Sequence, residues 1–555
     1  MASCGRGGTG LRAGFRCRWA NALGGSSPSA RIARAAATIA AAAGLALAPC
    51  AAAIASPAST RETPAGRAAA SGPFKHNPFA SLGPRDFRPA LARSKRTVTP
   101  TKAAPPTATI TQTTANLADA LSSKRPREWL PTPAPGSQVI AVNGQIRYQT
   151  ITGFGAAMTD SSAYLLQDQL TPEAHTIALQ ALFGQPGIHL DFVRIPMGAS
   201  DFSATGVPYT YDDLPPGETD PTMADFSIAH DEAYIIPALQ AMLAQNPKII
   251  TYANPWTPPP WMKANGLYGN LGVAGKVLPQ FYPALAQYFV KFMQDYAAAG
   301  VPIDDISMQN EPHTAALWPS ASFLAPDEVQ FMTQDLVPAL QAAGLAPHIY
   351  GLEAAVNATD EQTLFAGPAA PYLSGAAFHC YGGMAGFTTF HDAFPTVPIA
   401  VTECSPGIIS YSAAEVAIDA TRNWASVATL WNLALDTTGG PVEPPNSGCR
   451  GCTGVIRVND TTHLASYGLN YFEFGQISKF VMPGAVRIDS TRLVADDGKT
   501  VTPGVDDVAF INPNGMKVLV AYNSATTPVS LSIQWRRKYL HYVIKPGATV
   551  TFTWS

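Results

Sequence analysis

Charge is scarce in this 555-residue chain: Asp, Glu, Lys and Arg together make up 14%. The little there is divides unevenly. Residues 1–130 carry 18 Lys and Arg against four acids, whereas residues 131–555 carry 18 against 35. An acidic body argues against nucleic acid as a partner; it suits an uncharged substrate and also serves solubility. Cysteine is scarce as well. Of seven, Cys4, Cys17 and Cys50 lie near the N-terminus, and Cys380, Cys404, Cys449 and Cys452 remain, too few for a disulfide framework. Cys449-Arg-Gly-Cys452 has no second pair, so a tetrahedral zinc site would lack two ligands; a small loop-closing disulfide is expected. The ten histidines contain no His-Glu-x-x-His spacing, so neither metal nor cofactor is expected. Beyond residue 55 no run of about 20 apolar residues occurs, which leaves no further helical membrane span.

The N-terminus differs from the rest. Arg6, Arg12, Arg16, Arg18, Arg31 and Arg34 precede an Ala/Leu run from about Ala35 to Ala55, and the first acid is Glu62. Ala53-Ile54-Ala55 before Ser56 fits a small-residue cleavage site, so residues 1–55 read as an export leader. An organelle presequence and an uncleaved anchor have the same composition. Residues 56–105, rich in Pro, Ala, Ser, Thr and basic residues, read as a disordered linker. A secreted, periplasmic or extracellular location is expected, with membrane contact only through a lipid substrate or an uncleaved leader.

From Thr107 the pattern tightens. Residues 106–149 read as strands, with a hairpin over 138–149 turning at Asn143-Gly144. From Ile151 strand-like and helix-like segments alternate. Helices are expected over Pro172–Leu182, Ala233–Ala244, Phe281–Ala299, Pro326–Ala343 and Ala413–Asn423. Strands are expected over Asp191–Ile195, Lys248–Ala253, Ile303–Met308, Ile349–Leu352, Ala376–His379, Ile399–Thr402 and Ala428–Leu433. With the opening strand, that is the count of a (β/α)8 barrel over residues 150–475. Residues 476–555 hold short alternating strands, the pattern of a β-sandwich. The strands before residue 150 need partners, so the sandwich is expected to draw on both chain ends. The fold class is thus α/β, a TIM barrel with an attached β-sandwich.

Chemistry concentrates where the strands end. Gln309-Asn310-Glu311-Pro312 follows one buried run and Thr402-Glu403-Cys404 ends another. Two glutamates at the C-terminal ends of barrel strands are the arrangement that hydrolyses a glycosidic bond. Around them fall Arg194, Asp201, Asn254, Trp256, Trp261, His379, Tyr381 and Trp431. Carboxylates serve the chemistry, aromatic faces meet sugar C–H faces, and Asn, Asp and His meet hydroxyls.

Six segments, from Ile151-Thr-Gly-Phe-Gly-Ala-Ala-Met-Thr-Asp160 through Arg194-Ile-Pro-Met-Gly-Ala-Ser-Asp201, Asn254-Pro-Trp-Thr-Pro-Pro-Pro-Trp-Met-Lys263, Gln309–Pro312 and Thr402–Cys404 to Trp431–Pro441, resemble glycoside hydrolase family 30. That family holds glucosylceramidases and β-1,6-glucanases. The resemblance implies retention of anomeric configuration, with Glu311 as general acid/base and Glu403 as nucleophile. It implies that Asn310 binds the 2-hydroxyl, that Asp201, Trp256 and Trp431 line the glucose subsite, and that His379 and Tyr381 orient Glu403. For Glu311 to donate a proton near neutrality its pKa must be raised. Trp431–Pro441 resembles the glucose branch rather than the xylanase branch. The expected substrate is a β-glucoside, first glucosylceramide, which would place the enzyme in sphingolipid metabolism, with β-1,6-glucan as the alternative. A carbohydrate-binding protein with a degenerate site is a rival of another class.

Overall fold

The computed structural model describes residues 107–269, 275–443, 449, 451–494 and 504–555. The expected leader and linker lie outside the described residues. Eight parallel strands close a barrel: β1 (Gly153–Ala157), β2 (Phe192–Met197), β3 (Ile250–Pro255), β4 (Asp305–Ser307), β5 (His348–Ala354), β6 (Leu373–His379), β7 (Ile399–Glu403) and β8 (Ala425–Leu430). β8 pairs back onto β1 with Val427 opposite Gly153. Both faces of these strands are covered, which is why they read as continuous apolar runs. Gly155 is required where β1 meets β2: a Cβ there would lie 1.9 Å from the Phe192 carbonyl oxygen.

Local chemistry explains the helices. Thr171 caps Pro172–Leu182 by accepting from Ala174 N, with proline at the first position. Ser412 and Glu415 form a capping box at the head of Ala413–Arg422. The single helix expected over 326–343 is instead two α segments, Ala325–Phe331 and Val337–Ala342, joined by a π turn over Met332–Leu336. Pro338 explains this, since it lacks an N–H and its ring displaces the carbonyl four residues back. Helices Asp160–Gln167, Ala358–Phe365, Ala385–Ala393 and Leu469–Ser478 are not among those expected from the sequence. Strand β8 lies three residues earlier than its pattern suggests. Trp431 and Leu433 are buried as an apolar strand would be, yet they lie beyond its end.

A nine-stranded sheet forms the second layer. Its order is Lys538–Ile544, Val529–Trp535, Gln138–Thr150, Val486–Ser490, Val505–Ile511, Lys517–Asn523, Thr549–Trp554, Thr107–Thr113 and Ser122–Glu128. Strands from both chain ends thus share one sheet. A bridge between Leu130 and Tyr539 brings its two edges together. Its core includes Ile140, Leu519, Leu531, Val550 and Phe552.

The hairpin expected at Asn143-Gly144 does not form. Residues 138–150 are one strand. Its first half pairs parallel with Val529–Trp535, its second antiparallel with Val486–Ser490. The register jumps from Arg147 opposite Ile488 to Asn143 opposite Asp489. The Asn-Gly pair therefore sits in a bulge, where a Cβ at 144 would lie 3.0 Å from the Trp535 ring, a tight contact.

Candidate active site

The expected catalytic and substrate-binding residues Glu311, Glu403, Asp201, Trp256, Asn310, His379, Tyr381 and Trp431 lie at or just beyond the C-terminal ends of barrel strands. Glu403 ends β7 and His379 ends β6. Asn310 and Glu311 follow β4, Asp201 follows β2, and Trp256 and Trp431 directly follow β3 and β8. Backbone bonds hold the β4 extension: Asn310 N donates to Pro255 O at 2.8 Å and Glu311 N to Glu353 O at 3.0 Å. Glu311 and Glu353 both have positive φ, 43° and 51°. Such backbone costs roughly 1–3 kcal/mol per residue and persists where its surroundings over-determine it.

Arg194, on β2 and fully buried, organises the floor. Its Nη1 donates to Glu403 Oε2 at 2.5 Å, its Nη2 to Asn310 Oδ1 at 2.6 Å, and its Nε to Asn254 Oδ1 at 3.1 Å. Nη2 also lies 2.8 Å from Glu353 Oε1. The guanidinium sits over the Trp256 ring at 4.5 Å and the Trp431 ring at 5.5 Å. Those two indoles stack on each other with centroids 5.2 Å apart. They are 2% exposed, so much of their area serves packing. With its Oδ1 taken by Arg194, Asn310 has its amide NH2 left to donate.

His379 is buried between three carboxylates. Its Nδ1 lies 3.0 Å from Glu311 Oε1 and 3.8 Å from Glu403 Oε1, and its Nε2 lies 3.3 Å from Glu353 Oε1. Burial disfavours its charge, but Glu403, Glu311 and Glu353 together raise the imidazole to about 9. Burial likewise opposes charge on Glu353, yet Arg194, His379 and Tyr252 hold it down at about 2. Ser307 Oγ adds a hydrogen bond to Glu353 at 2.8 Å. Tyr381 OH donates to Glu403 Oε1 at 2.8 Å, and burial beside that carboxylate pushes the phenol up, so it stays a donor. Burial, then the charge of Glu403, raises Asp201 well above the ordinary carboxylate range. Its carboxyl accepts from the backbone N–H of Cys449.

Glu311 departs from the sequence expectation. Burial favours its neutral form, but His379, Thr314 and Arg194 outweigh it and lower its pKa. The resting site thus holds Glu311 as the stronger acid of its type, not the weaker.

An oxygen of Glu311, an oxygen of Glu403 and a nitrogen of His379 lie within 4.8 Å of one another. That carboxylate spacing matches the about 5–5.5 Å of retaining glycosidases rather than the about 6.5–9.5 Å of inverting ones. Both nitrogens of His379 face carboxylates, so both carry protons in the resting site.

Glu353 is the residue that sequence reading missed. Its signal was present, since Ile349–Glu353 is another apolar run ending in glutamate at a strand terminus. Asp160, which ends the first of the six segments, serves the structure around it. It accepts from Ala204 N at 2.5 Å and Tyr234 OH at 2.8 Å, and meets His230 Nε2 at 2.7 Å. It therefore braces the loop after Asp201. The CxxC closes on itself as Cys449–Cys452, and Cys380 pairs with Cys404. Part of the loop from Val442 to Thr453 lies outside the described residues.

Comparison with known proteins extends this description. The model of the glycosyl hydrolase family 30 TIM-barrel domain matches residues 151–446, and that of the family's β-sandwich domain matches 484–552. The endo-1,6-beta-D-glucanase of Neurospora crassa is 31% identical over 398 residues, covering 70% of this chain and 82% of that protein. The lysosomal acid glucosylceramidase of Mus musculus is 28% identical over 451 residues, covering 75% and 83%. Among solved structures, the endo-beta1,6-glucanase BT3312 superposes with a TM-score of 0.71 at 28% identity, covering 81% of this chain and 99% of that one.

Proposed function

This chain belongs to glycoside hydrolase family 30 and is a glycosidase; on that premise we propose that it is a retaining β-1,6-glucanase. Three endo-1,6-beta-glucanases at 30–31% identity, each aligned over 78% or more of its length, support this substrate over glucosylceramide. The spacing of Glu311 and Glu403, with oxygens within 4.8 Å, carries the mechanism.

In this reading Glu403 attacks the anomeric carbon while Glu311 protonates the departing oxygen. The bond to the leaving sugar breaks as the ester to Glu403 forms. Glu311 then takes a proton from water, which attacks the same carbon and frees Glu403 with configuration retained. Arg194 and Tyr381 hold Glu403 at the attack position. His379, cationic across neutrality, stabilises the carboxylate that Glu311 becomes on giving up its proton. Asp201 and the Asn310 amide are placed to meet hydroxyls of the bound glucose.

One observation favours a lipid aglycone as the second reading. Leu267, Leu317 and Ile408 stand exposed on loops that follow β3, β4 and β7. Glucosylceramidases of Caenorhabditis elegans at 27–31% identity keep this reading in view. Export is proposed alongside, supported by the two disulfides, which suit an oxidising compartment.

The deciding experiment is hydrolysis, side by side, of linear β-1,6-glucan, glucosylceramide in detergent and p-nitrophenyl β-glucoside. Preferred cleavage of the glucan with initial release of the β-anomer is expected. Preference for glucosylceramide would overturn the glucanase reading, and release of the α-anomer would overturn the mechanism.

A further inference from the structure

The Cys380–Cys404 disulfide lies directly beyond the last pairing of strands β6 and β7. Strands β6 and β7 run in simple register from Ala376 opposite Ile399 to Phe378 opposite Val401. The register then slips, and His379 lies opposite Glu403 with Thr402 unpaired. His379 opposite Glu403 is the last pairing of this ladder. The next residue on each strand is a cysteine, and the two are joined.

Of the four residues flanking the two cysteines, His379, Tyr381 and Glu403 belong to the site, while Ser405 Oγ donates to Cys452 Sγ at 3.2 Å. Cys380 lies between His379 and Tyr381, the two residues that face Glu403 Oε1, at 3.8 Å and 2.8 Å. Cys404 follows Glu403 directly, and its carbonyl accepts from Trp431 N at 2.9 Å. Trp431 in turn stacks on Trp256. Both sulfurs are interior, with Cys380 1% and Cys404 0% exposed, so the bond is no surface staple.

We propose that Cys380–Cys404 is a positioning device for catalysis, a covalent clamp that sets the nucleophile Glu403 against His379 and Tyr381. It rests on the reading of Glu403 as nucleophile. Its two cysteines are positioning residues, since neither is argued to meet substrate. Displacement of a reacting group by about 1 Å costs on the order of 10²-fold in rate.

The test is the double substitution Cys380→Ala with Cys404→Ala, assayed on p-nitrophenyl β-glucoside and β-1,6-glucan. Active sites are counted by labelling with a 2-deoxy-2-fluoro-β-glucoside bearing a dinitrophenolate leaving group. The expected result is a kcat per labelled site lower by roughly 10- to 100-fold, KM within about threefold, and a labelling rate reduced by the same factor as kcat. A lower Tm with kcat and labelling rate per site unchanged would make the bond merely structural and overturn the proposal. If the variant does not fold, the wild-type chain is prepared at graded oxidation and each disulfide is quantified by peptide mapping. Labelling rate per folded molecule that follows Cys449–Cys452, or neither bond, overturns the proposal equally. Failure of the oxidised wild type to label at all would overturn the reading of Glu403 instead, so the two failures are distinct.

Discussion

The barrel rim and the nine-stranded sheet are built on opposite principles. The sheet encloses a core of Ile140, Leu519, Leu531, Val550 and Phe552, held by burial that has no preferred direction. The rim buries Arg194, Glu353, His379 and Glu403 within hydrogen-bond reach of one another, and each group is tolerable only because the others are present. A sheet core residue can therefore be altered at a cost in stability alone. A rim residue cannot be altered without changing the charge or position of its neighbours. Function occupies the region whose stability is most conditional.

The largest effect should come from Glu403→Gln. Removing the nucleophile is expected to lower kcat at least about 10⁴-fold and to abolish labelling by a 2-fluoroglycoside. Near-normal turnover would sink the assignment. Next comes Glu353→Gln, a residue with no proposed contact to substrate. It leaves Arg194 and His379 short of a counter-charge, so about 3–5 kcal/mol of stability should go, read by urea unfolding, together with roughly 10²-fold in kcat. A variant as stable and active as wild type would show that the rim is not a coupled network.

Leu519→Ala sharpens the contrast from the other side. About 2–5 kcal/mol of stability should be lost, with kcat/KM at 25 °C within twofold. A large loss of activity in the folded variant would contradict the separation of the two regions.

The pH dependence of stability belongs to the rim. Glu353 titrates at about 2 when folded, below its ordinary 4.5, so its contribution is present above pH 4.5 and is lost as pH falls toward 2. His379 titrates at about 9, above its ordinary 6.5, so its contribution is full below pH 6.5 and is lost as pH rises toward 9. Stability should therefore be greatest between about pH 4.5 and 6.5, and Glu353→Gln should flatten the acid side. Activity obeys a related rule. His379 lowers the pKa of Glu311, which must be protonated to act as acid. His379→Asn should thus move the alkaline limb of kcat/KM upward, by roughly 1–3 units; a limb that stays in place would remove His379 from the proton economy of Glu311. The smallest expected effect is none: EDTA should leave the rate unchanged, and loss restored by added metal would refute a site made of side chains alone.

Much of this was legible in the chain. Gln309–Pro312 follows one apolar run and Thr402–Cys404 closes another, each bringing a glutamate, and a strand buried on both faces has to be apolar until it reaches the rim. The alternation of such runs with amphipathic helices implied the barrel for the same reason. Asn143-Gly144 misled because turn propensity is local. Two partner strands distant in sequence, one parallel and one antiparallel, hold residues 138–150 extended through it. Glu353 was passed over although it ends its run in the same way, because nothing near it in sequence announces Arg194 or Tyr252.

The sequence by itself determined which residue types stand at the strand ends, since periodicity, proline and burial act over a few residues. Tertiary structure alone decided what those residues are. Closing the barrel put Glu353 and Glu403 on one guanidinium and His379 between three carboxylates, and thereby lowered the pKa of Glu311 where local reading required it raised. The same closure set Cys380 beside Cys404. Coulombic and covalent partners are chosen by distance in space, and the contact of Arg194 with Glu403 joins residues 209 positions apart.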